Sequence, residues 1–219
     1  MGTGKMDLIR FQNVCPQVFI NNSGIVSDVW KQQLEFKKGQ TYLVEAESGK
    51  GKSTFCSYLM GYRHDYQGNI FFDGKDIEQY QVSDWVAIRR RNVSCLFQDL
   101  RLFPELTAWE NVDIKNSLTH WKSRDEIEQW FFRMGIADKK DTRVGKMSFG
   151  QQQRVAMIRA LAQPFDFLLA DEPISHLDDV SAKTMGVIMM EEAHKQKAGV
   201  LVTSIGKRLD LPYDHVLQL

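Results

Sequence analysis

The run Ala46-Glu47-Ser48-Gly49-Lys50-Gly51-Lys52-Ser53-Thr54 puts glycine, lysine and hydroxyl residues at a spacing that can hold a polyphosphate. Successive backbone N–H groups wrap phosphate oxygens, and the N-terminus of a following helix adds partial positive charge. The Lys52 ammonium supplies a full charge to the β/γ oxygens, and the Ser53 hydroxyl can ligate Mg²⁺. Gly49 and Gly51 let the backbone approach phosphate without a Cβ in the way. A loop of this kind ordinarily opens on glycine, and Ala46 adds one methyl there. Without its context the same run would be a glycine-rich turn with solvated lysines.

Two other segments carry groups suited to the same chemistry. Phe167-Leu168-Leu169-Ala170 is wholly apolar and ends on Asp171-Glu172. A buried strand of this composition delivers Asp171 to the carboxyl edge of a sheet, where it can hold the water shell of Mg²⁺. Glu172, next along the pleat, can polarise an attacking water. Alone, such a pair is a helix-start signal, and its weight comes from sharing a chain with the loop. In Lys146-Met147-Ser148-Phe149-Gly150-Gln151, Ser148 reads as a helix cap and Gly150 allows close backbone approach. That makes a second helix N-terminus able to face phosphate. In isolation it is an N-capped polar helix.

Strands that end and helices that begin at one edge must position these groups. Leu8 to Val14, Gln32 to Phe36 and Thr41 to Ala46 read as strands, and Ser53 to Tyr62 as an apolar-rich helix. Asn69 to Phe72 is a short strand closed by Asp73-Gly74, and Val93 to Phe97 a buried one. From Thr107 to Gly135 the pattern is helical, with capping boxes at Thr107/Glu110 and Ser123/Glu126. A helix runs from Ser148 to about Ala162, then strand Phe167 to Ala170, helix Ser181 to Gln196 and strand Gly199 to Thr203. This alternation predicts an α/β core with a mostly parallel sheet, and the helical stretch Asp99 to Met147 reads as an insertion.

The 219 residues suit one generous domain, 43% hydrophobic and 26% charged with no net charge. Balanced charge gives no pull toward nucleic acid or an anionic surface, so no nucleic-acid partner is expected. Arg89, Arg90 and Arg91 read as a solvated helix face. The three cysteines, Cys15, Cys56 and Cys95, are odd in number, lack C-x-x-C spacing and sit among apolar neighbours. They read as buried free thiols, which favours the cytosol. No export peptide is expected, since no apolar run follows Lys5. The longest strongly apolar stretch, Phe165 to Ala170, is far short of the roughly 20 residues that span a bilayer. A membrane role would need another polypeptide to supply the span.

Taken together, these segments closely resemble an ATP-binding cassette (ABC) ATPase domain over nearly the whole chain. Ala46 to Thr54 resembles its Walker A loop, Phe167 to Asp171 with Glu172 its Walker B strand and catalytic glutamate, and Ser94-Cys95-Leu96-Phe97-Gln98 its Q-loop. Met147 to Gln151 is similar to the family signature and Ile174-Ser175-His176-Leu177-Asp178 to the D-loop. Ile88 to Val112 is especially similar to transporter-type cassettes, in feel those of lipoprotein-release, macrolide-efflux or cell-division complexes.

The resemblance implies a P-loop NTPase core with an antiparallel β subdomain (residues 1–98 and 149–219) and a helical subdomain at about 99–148. It implies ATP and Mg²⁺, with Ser53, Gln98 and Asp171 on the metal and Glu172, Gln98 and the residue at Ser204 in catalysis. ATP contacts would be Phe19, stacked on adenine where a core phenylalanine is the alternative, the whole loop Ala46, Glu47, Ser48, Gly49, Lys50, Gly51, Lys52, Ser53 and Thr54, and, from a second copy, Ser148, Phe149, Gly150 and Gln151. The implied assembly is a head-to-tail homo- or heterodimer on a transmembrane permease subunit, at the cytoplasmic face of the membrane.

Three positions depart from the family pattern. Ala46 replaces a glycine, Phe149 replaces the first glycine of the signature, and Ser204 stands where the family has a histidine that bonds the γ-phosphate. His176 lies in the D-loop, and His64, His120, His194 and His215 read as surface or packing residues. The sequence thus favours a transport ATPase subunit, with a slow or non-hydrolysing regulatory subunit as the second reading. A soluble cassette acting on DNA, translation or iron–sulfur assembly ranks third, because Asp99 to Met147 is too short for a long coiled coil and no basic tail is present.

Overall fold

A parallel sheet whose strands are apolar on both faces needs cover on both sides, and here it divides two hydrophobic cores. The structure, a computed structural model, describes residues 4–21, 24, 26–47 and 49–219. The chain opens with β1 (Leu8–Pro16), β2 (Gln33–Lys37) and β3 (Thr41–Glu45), then α1 (Lys52–Leu59), β4 (Tyr66–Phe72) and the short β5 (Lys75–Asp76). α2 (Val82–Arg91) and β6 (Val93–Leu96) lead to α3 (Ala108–Asn116), α4 (Arg124–Arg133) and α5 (Phe149–Leu161). β7 (Phe167–Asp171), α6 (Asp179–Gln196), β8 (Gly199–Ser204) and β9 (His215–Gln218) follow.

The larger sheet runs β6-β7-β8-β3-β9 with every pair parallel. The smaller, β2-β1-β4-β5, is antiparallel. The pleat sorts the apolar residues of the parallel strands between the two cores. Leu43, Leu168, Ala170, Val200 and Val202 join a core completed by α3 to α6. Tyr42, Val44, Phe167, Leu169 and Leu201 face the other way, against α1, α2 and the antiparallel sheet. Because both faces are covered, the only place this sheet can present charged groups is the edge where its strands end.

Both expected capping boxes form. Thr107 N–H donates to Glu110 Oε2 at 2.7 Å while Glu110 N–H donates to Thr107 Oγ1 at 3.1 Å, and Ser123 with Glu126 repeats the arrangement. α3 and α4 pack on α5. A buried ion pair, Lys122 to Glu192 at 2.9 Å, ties the turn before α4 to α6. The three cysteines are free, with Cys95 less buried than Cys15 and Cys56. Among the described residues no helix is long and apolar enough to cross a membrane.

The arginine run is only partly a solvated face. Arg90 and Arg91 are exposed, but Arg89 reaches back to the C-terminal end of α1. Its guanidinium donates to the Met60 carbonyl at 2.9 Å and the Gly61 carbonyl at 3.1 Å and lies over Tyr62, 4.5 Å from the ring centre. Lys115 donates in turn to the Arg89 carbonyl at 3.1 Å, in a cavity of about 240 Å³ where α2, α3 and α5 meet β6.

Burial, with the neighbouring Arg159 charge, lowers the Lys115 pKa to about 8. The unfolded chain then binds more protons than the folded one between pH ~8 and the ordinary lysine value of about 10.4. Stability therefore rises with pH across that window, and below it the full penalty of a buried ammonium is present. Lys115→Met should stabilise the fold by about 1–3 kcal/mol at pH 7 and flatten the rise between pH 8 and 10. Urea denaturation at several pH values checks both.

Candidate functional site

The loop between β3 and α1 is shaped by Gly51, which takes φ 100° at the N-cap of α1. That left-handed conformation is the reason for glycine here. A Cβ there would lie 3.2 Å from the Phe19 ring and 3.4 Å from Trp30. Trp30, buried in the aromatic core, also donates its indole N–H to the Lys50 carbonyl at 3.4 Å. It is the floor of the loop, and nothing in the sequence marked it, since its type and setting are those of a core residue. Phe19 is half-buried, with its ring beside Gly51 of the loop. Ser48 lies outside the described residues.

Lys52 is only 6% exposed, yet it carries the charge on which the site depends. Its Nζ donates to the Ala46 carbonyl at 3.3 Å and the Glu47 carbonyl at 3.2 Å, and lies 3.9 Å from Glu172 Oε1. The lysine thus bends across the loop mouth, with Glu172 as its counter-charge. Together with Gly49, Gly51, Ser53 and Gln98 they line an open hollow of about 260 Å³. Thr54 also borders the hollow, and its hydroxyl accepts from Arg63 at 3.1 Å.

Glu172 is held by an unusual backbone. Its φ of 49° is uncommon for a residue with a side chain. Its N–H donates to the Thr203 carbonyl at 3.2 Å and to Thr203 Oγ1 at 3.3 Å, and its carbonyl accepts from Gln153 Nε2 at 3.2 Å. Desolvation raises its pKa, against the opposing charge of Lys52. Asp171 is raised chiefly by burial as well, opposed by a hydrogen bond from the Thr203 hydroxyl and by the Lys52 charge.

Beyond Gln98 the site opens into a second cavity of about 460 Å³, lined by Ser53, Gln98 and Asp171 on one side and Phe149 and His176 on the other. The Ser53 hydroxyl and Gln98 Oε1 are 3.5 Å apart. A hydroxyl, an amide oxygen and a carboxylate converging on one space form an all-oxygen donor set of the kind Mg²⁺ takes.

Of the signature segment only Phe149 borders the larger cavity. Ser148 and Gln151 cap α5 reciprocally: Ser148 N–H donates to Gln151 Oε1 at 3.0 Å and Gln151 N–H to Ser148 Oγ at 3.3 Å. Neither borders either hollow, and Gly150 is pressed against the His176 backbone. Ser204 ends β8 beside Glu45, and its carbonyl accepts the Ala46 N–H at 3.2 Å. Its hydroxyl, however, is buried and donates to the Lys207 carbonyl at 2.6 Å, so it closes a turn and does not face the phosphate hollow. The next residue, Ile205, borders that hollow instead.

Comparison with known proteins places this arrangement in a family. The family described as ABC transporter matches residues 30–175, and the chain belongs to it. An uncharacterised ABC transporter ATP-binding protein of Mycobacterium tuberculosis is 34% identical over 189 residues, covering 85% of this chain and 57% of that protein. The chain thus spans little more than half the length of that relative. YclH of Bacillus subtilis, an uncharacterised ABC transporter ATP-binding protein, is 32% identical over 203 residues, covering 90% of this chain and 87% of YclH. Among solved structures, the dimeric post-hydrolysis state of the cassette MJ0796 bound to ADP and Pi superposes with a TM-score of 0.73. It is 25% identical, over 90% of this chain and 87% of that one.

Removing Lys52 takes away the ammonium that lines the hollow and leaves Glu172 there unopposed. Lys52→Ala should weaken ATP binding by at least ~1.5–3 kcal/mol, the scale of one charge-assisted contact. Titration of the folded variant with nucleotide checks this, and unchanged affinity would remove the loop from the binding site.

Proposed function

We propose that the chain is an ATP-hydrolysing subunit that works in pairs and drives a separate transmembrane partner. The observation that carries this reading is a division within one chain. Lys52 and Glu172 share one hollow, while Ser148 and Gln151, which cap α5, border neither it nor the adjoining cavity and are free to complete the hollow of a second copy. In that pairing Ala46 to Thr54 of one copy and Ser148 to Gln151 of the other enclose each ATP, and Phe19 flanks the base. Residues of about 99–148 form the helical subdomain that meets the membrane partner, which would hold the chain at the cytoplasmic face.

Ser53, Gln98 and Asp171 would hold Mg²⁺, which when bound neutralises charge on the β and γ oxygens. Lys52 leaves its loop carbonyls for those oxygens, and its departure releases Glu172. The glutamate, aimed by its constrained backbone and made more basic by burial, orients a water in line with the γ-phosphate. The helix N-terminus of the second copy adds N–H donors to the charge that grows on the transferring group.

Glu172→Gln should retain ATP binding and accumulate a dimer with ATP and Mg²⁺, because closure persists when turnover stops. Light scattering reads it out, and a variant that stays monomeric at every concentration excludes self-pairing in favour of a different partner cassette.

The second reading, a slow or regulatory subunit, is favoured by Ser204, whose hydroxyl is spent on the Lys207 carbonyl. An imidazole, too large for the turn that holds the hydroxyl, would have to swing out toward the hollow that Ile205 borders, and from there it could reach the γ-phosphate. Since one well-placed donor is worth ~10²–10³ in rate, Ser204→His should accelerate hydrolysis about tenfold or more. Single-turnover rates at saturating ATP, with thermal melts to check folding, test this. A wild-type rate already in the ordinary ~1–10 s⁻¹ range and unmoved by histidine removes the regulatory reading's main support.

A further inference from the structure

Phe149 brings a large side chain to a place where bulk is costly. It is the first residue of α5 and is 43% exposed, so core packing does not explain it. In a helix the Cα–Cβ bonds tilt toward the N-terminus, so a side chain at the first position leans over the space in front of the helix end. The first-turn N–H groups have no intrahelical acceptor. Ser148 Oγ takes that of Gln151, which leaves those of Phe149 and Gly150 for whatever sits in front. A phenyl ring swung across them would replace a phosphate site with apolar surface.

In the structure the ring is drawn aside. It packs on the His176 imidazole with ring centres 4.3 Å apart and planes tilted by 60°. The imidazole is itself fixed, because its Nδ1 is hydrogen-bonded to Ser175 Oγ at 2.8 Å. The backbones pack as closely as the rings: a Cβ on Gly150 would lie 3.1 Å from the His176 carbonyl oxygen. Residues 174–178 and the start of α5 therefore form one joined surface, with the phenyl ring on its His176 side.

We propose that His176 is a positioning residue for the nucleotide sandwich: it holds the Phe149 ring off the N-terminus of α5. The Phe149 and Gly150 N–H groups then stay open to the γ-phosphate of an ATP bound by a second copy. This rests on the paired reading above. An aromatic contact of this kind biases the ring's rotamers by about two- to tenfold, which sets the size of the effect.

The test uses the Glu172→Gln background with ATP and Mg²⁺ at concentrations that saturate each variant, reading the dimer dissociation constant by sedimentation. His176→Ala should weaken the dimer about two- to tenfold. His176→Phe, which keeps a ring under Phe149, should restore it. Removing the ring instead, in the His176→Ala/Phe149→Gly double variant, should restore it too. An unchanged His176→Ala dimer overturns the proposal, and so does a weakened one that Phe149→Gly fails to rescue, since the imidazole would then act on residues 174–178 alone. If Glu172→Gln itself forms no ATP-dependent dimer, self-pairing is excluded, and this inference, which needs a second copy, falls with it.

Discussion

A lysine ammonium at 6% exposure is the constraint around which the rest of the structure is arranged. Burying a charge is expensive unless it is bonded and balanced. Two loop carbonyls bond it and Glu172 balances it, each contribution coming from a different element. The loop can offer those carbonyls because Gly51 takes a left-handed backbone angle that a residue with a side chain rarely adopts. Glu172 reaches the lysine only because Thr203 and Gln153 hold its backbone in a conformation it would otherwise avoid. When phosphate takes the lysine, both holdings are released together, which links occupancy of the site to the state of its base.

Thr203 connects the two acidic residues more directly than their adjacency does. Its hydroxyl donates to Asp171 while also accepting from the Glu172 N–H, and it is fully buried in the strand beside them. Two adjacent carboxylates, proposed above as a metal ligand and a base, are therefore indexed to one side chain of β8. Sheet register, set by apolar packing on both faces, is thereby translated into the relative placement of two carboxylates.

The sequence was most readable where chemistry demands particular residue types in a row. The loop at Ala46 to Thr54, the apolar strand ending in Asp171, the capping boxes at Thr107 and Ser123 and the cap at Ser148 each follow from local rules, and among the described residues the strand and the three caps form. Features settled by distant contacts were not readable. Helix α2 starts from Gln81 and Asp84, a capping pair without the usual Ser, Thr or Asp at the cap. Strand β9 is short and largely exposed, and exists because β3 offers it a parallel edge. Ser204 was placed correctly at the sheet edge, but a carbonyl three residues along captured its hydroxyl, and such local hydrogen bonds do not show in residue type. Phe149 was legible as an oddity, whereas its stack on His176 depends on two segments that meet only in the fold.

The arginine on the far end of α1 changes how that helix should be regarded. A helix of eight residues is about 12 Å long and carries partial positive charge at its start and partial negative charge at its end. Its end is held by the Arg89 guanidinium on the Met60 and Gly61 carbonyls, and its start borders the hollow proposed to take phosphate. With phosphate bound there, both poles would be occupied by opposite charge, and the helix would act as a short stiff strut pinned at each end. Arg89 belongs to α2 and supports Lys115 of α3, so the strut's far pin is fixed in the seam between the sheet and the helical segments. A displacement of the phosphate end by even an ångström must then be taken up at that seam, because a strut this short does not bend.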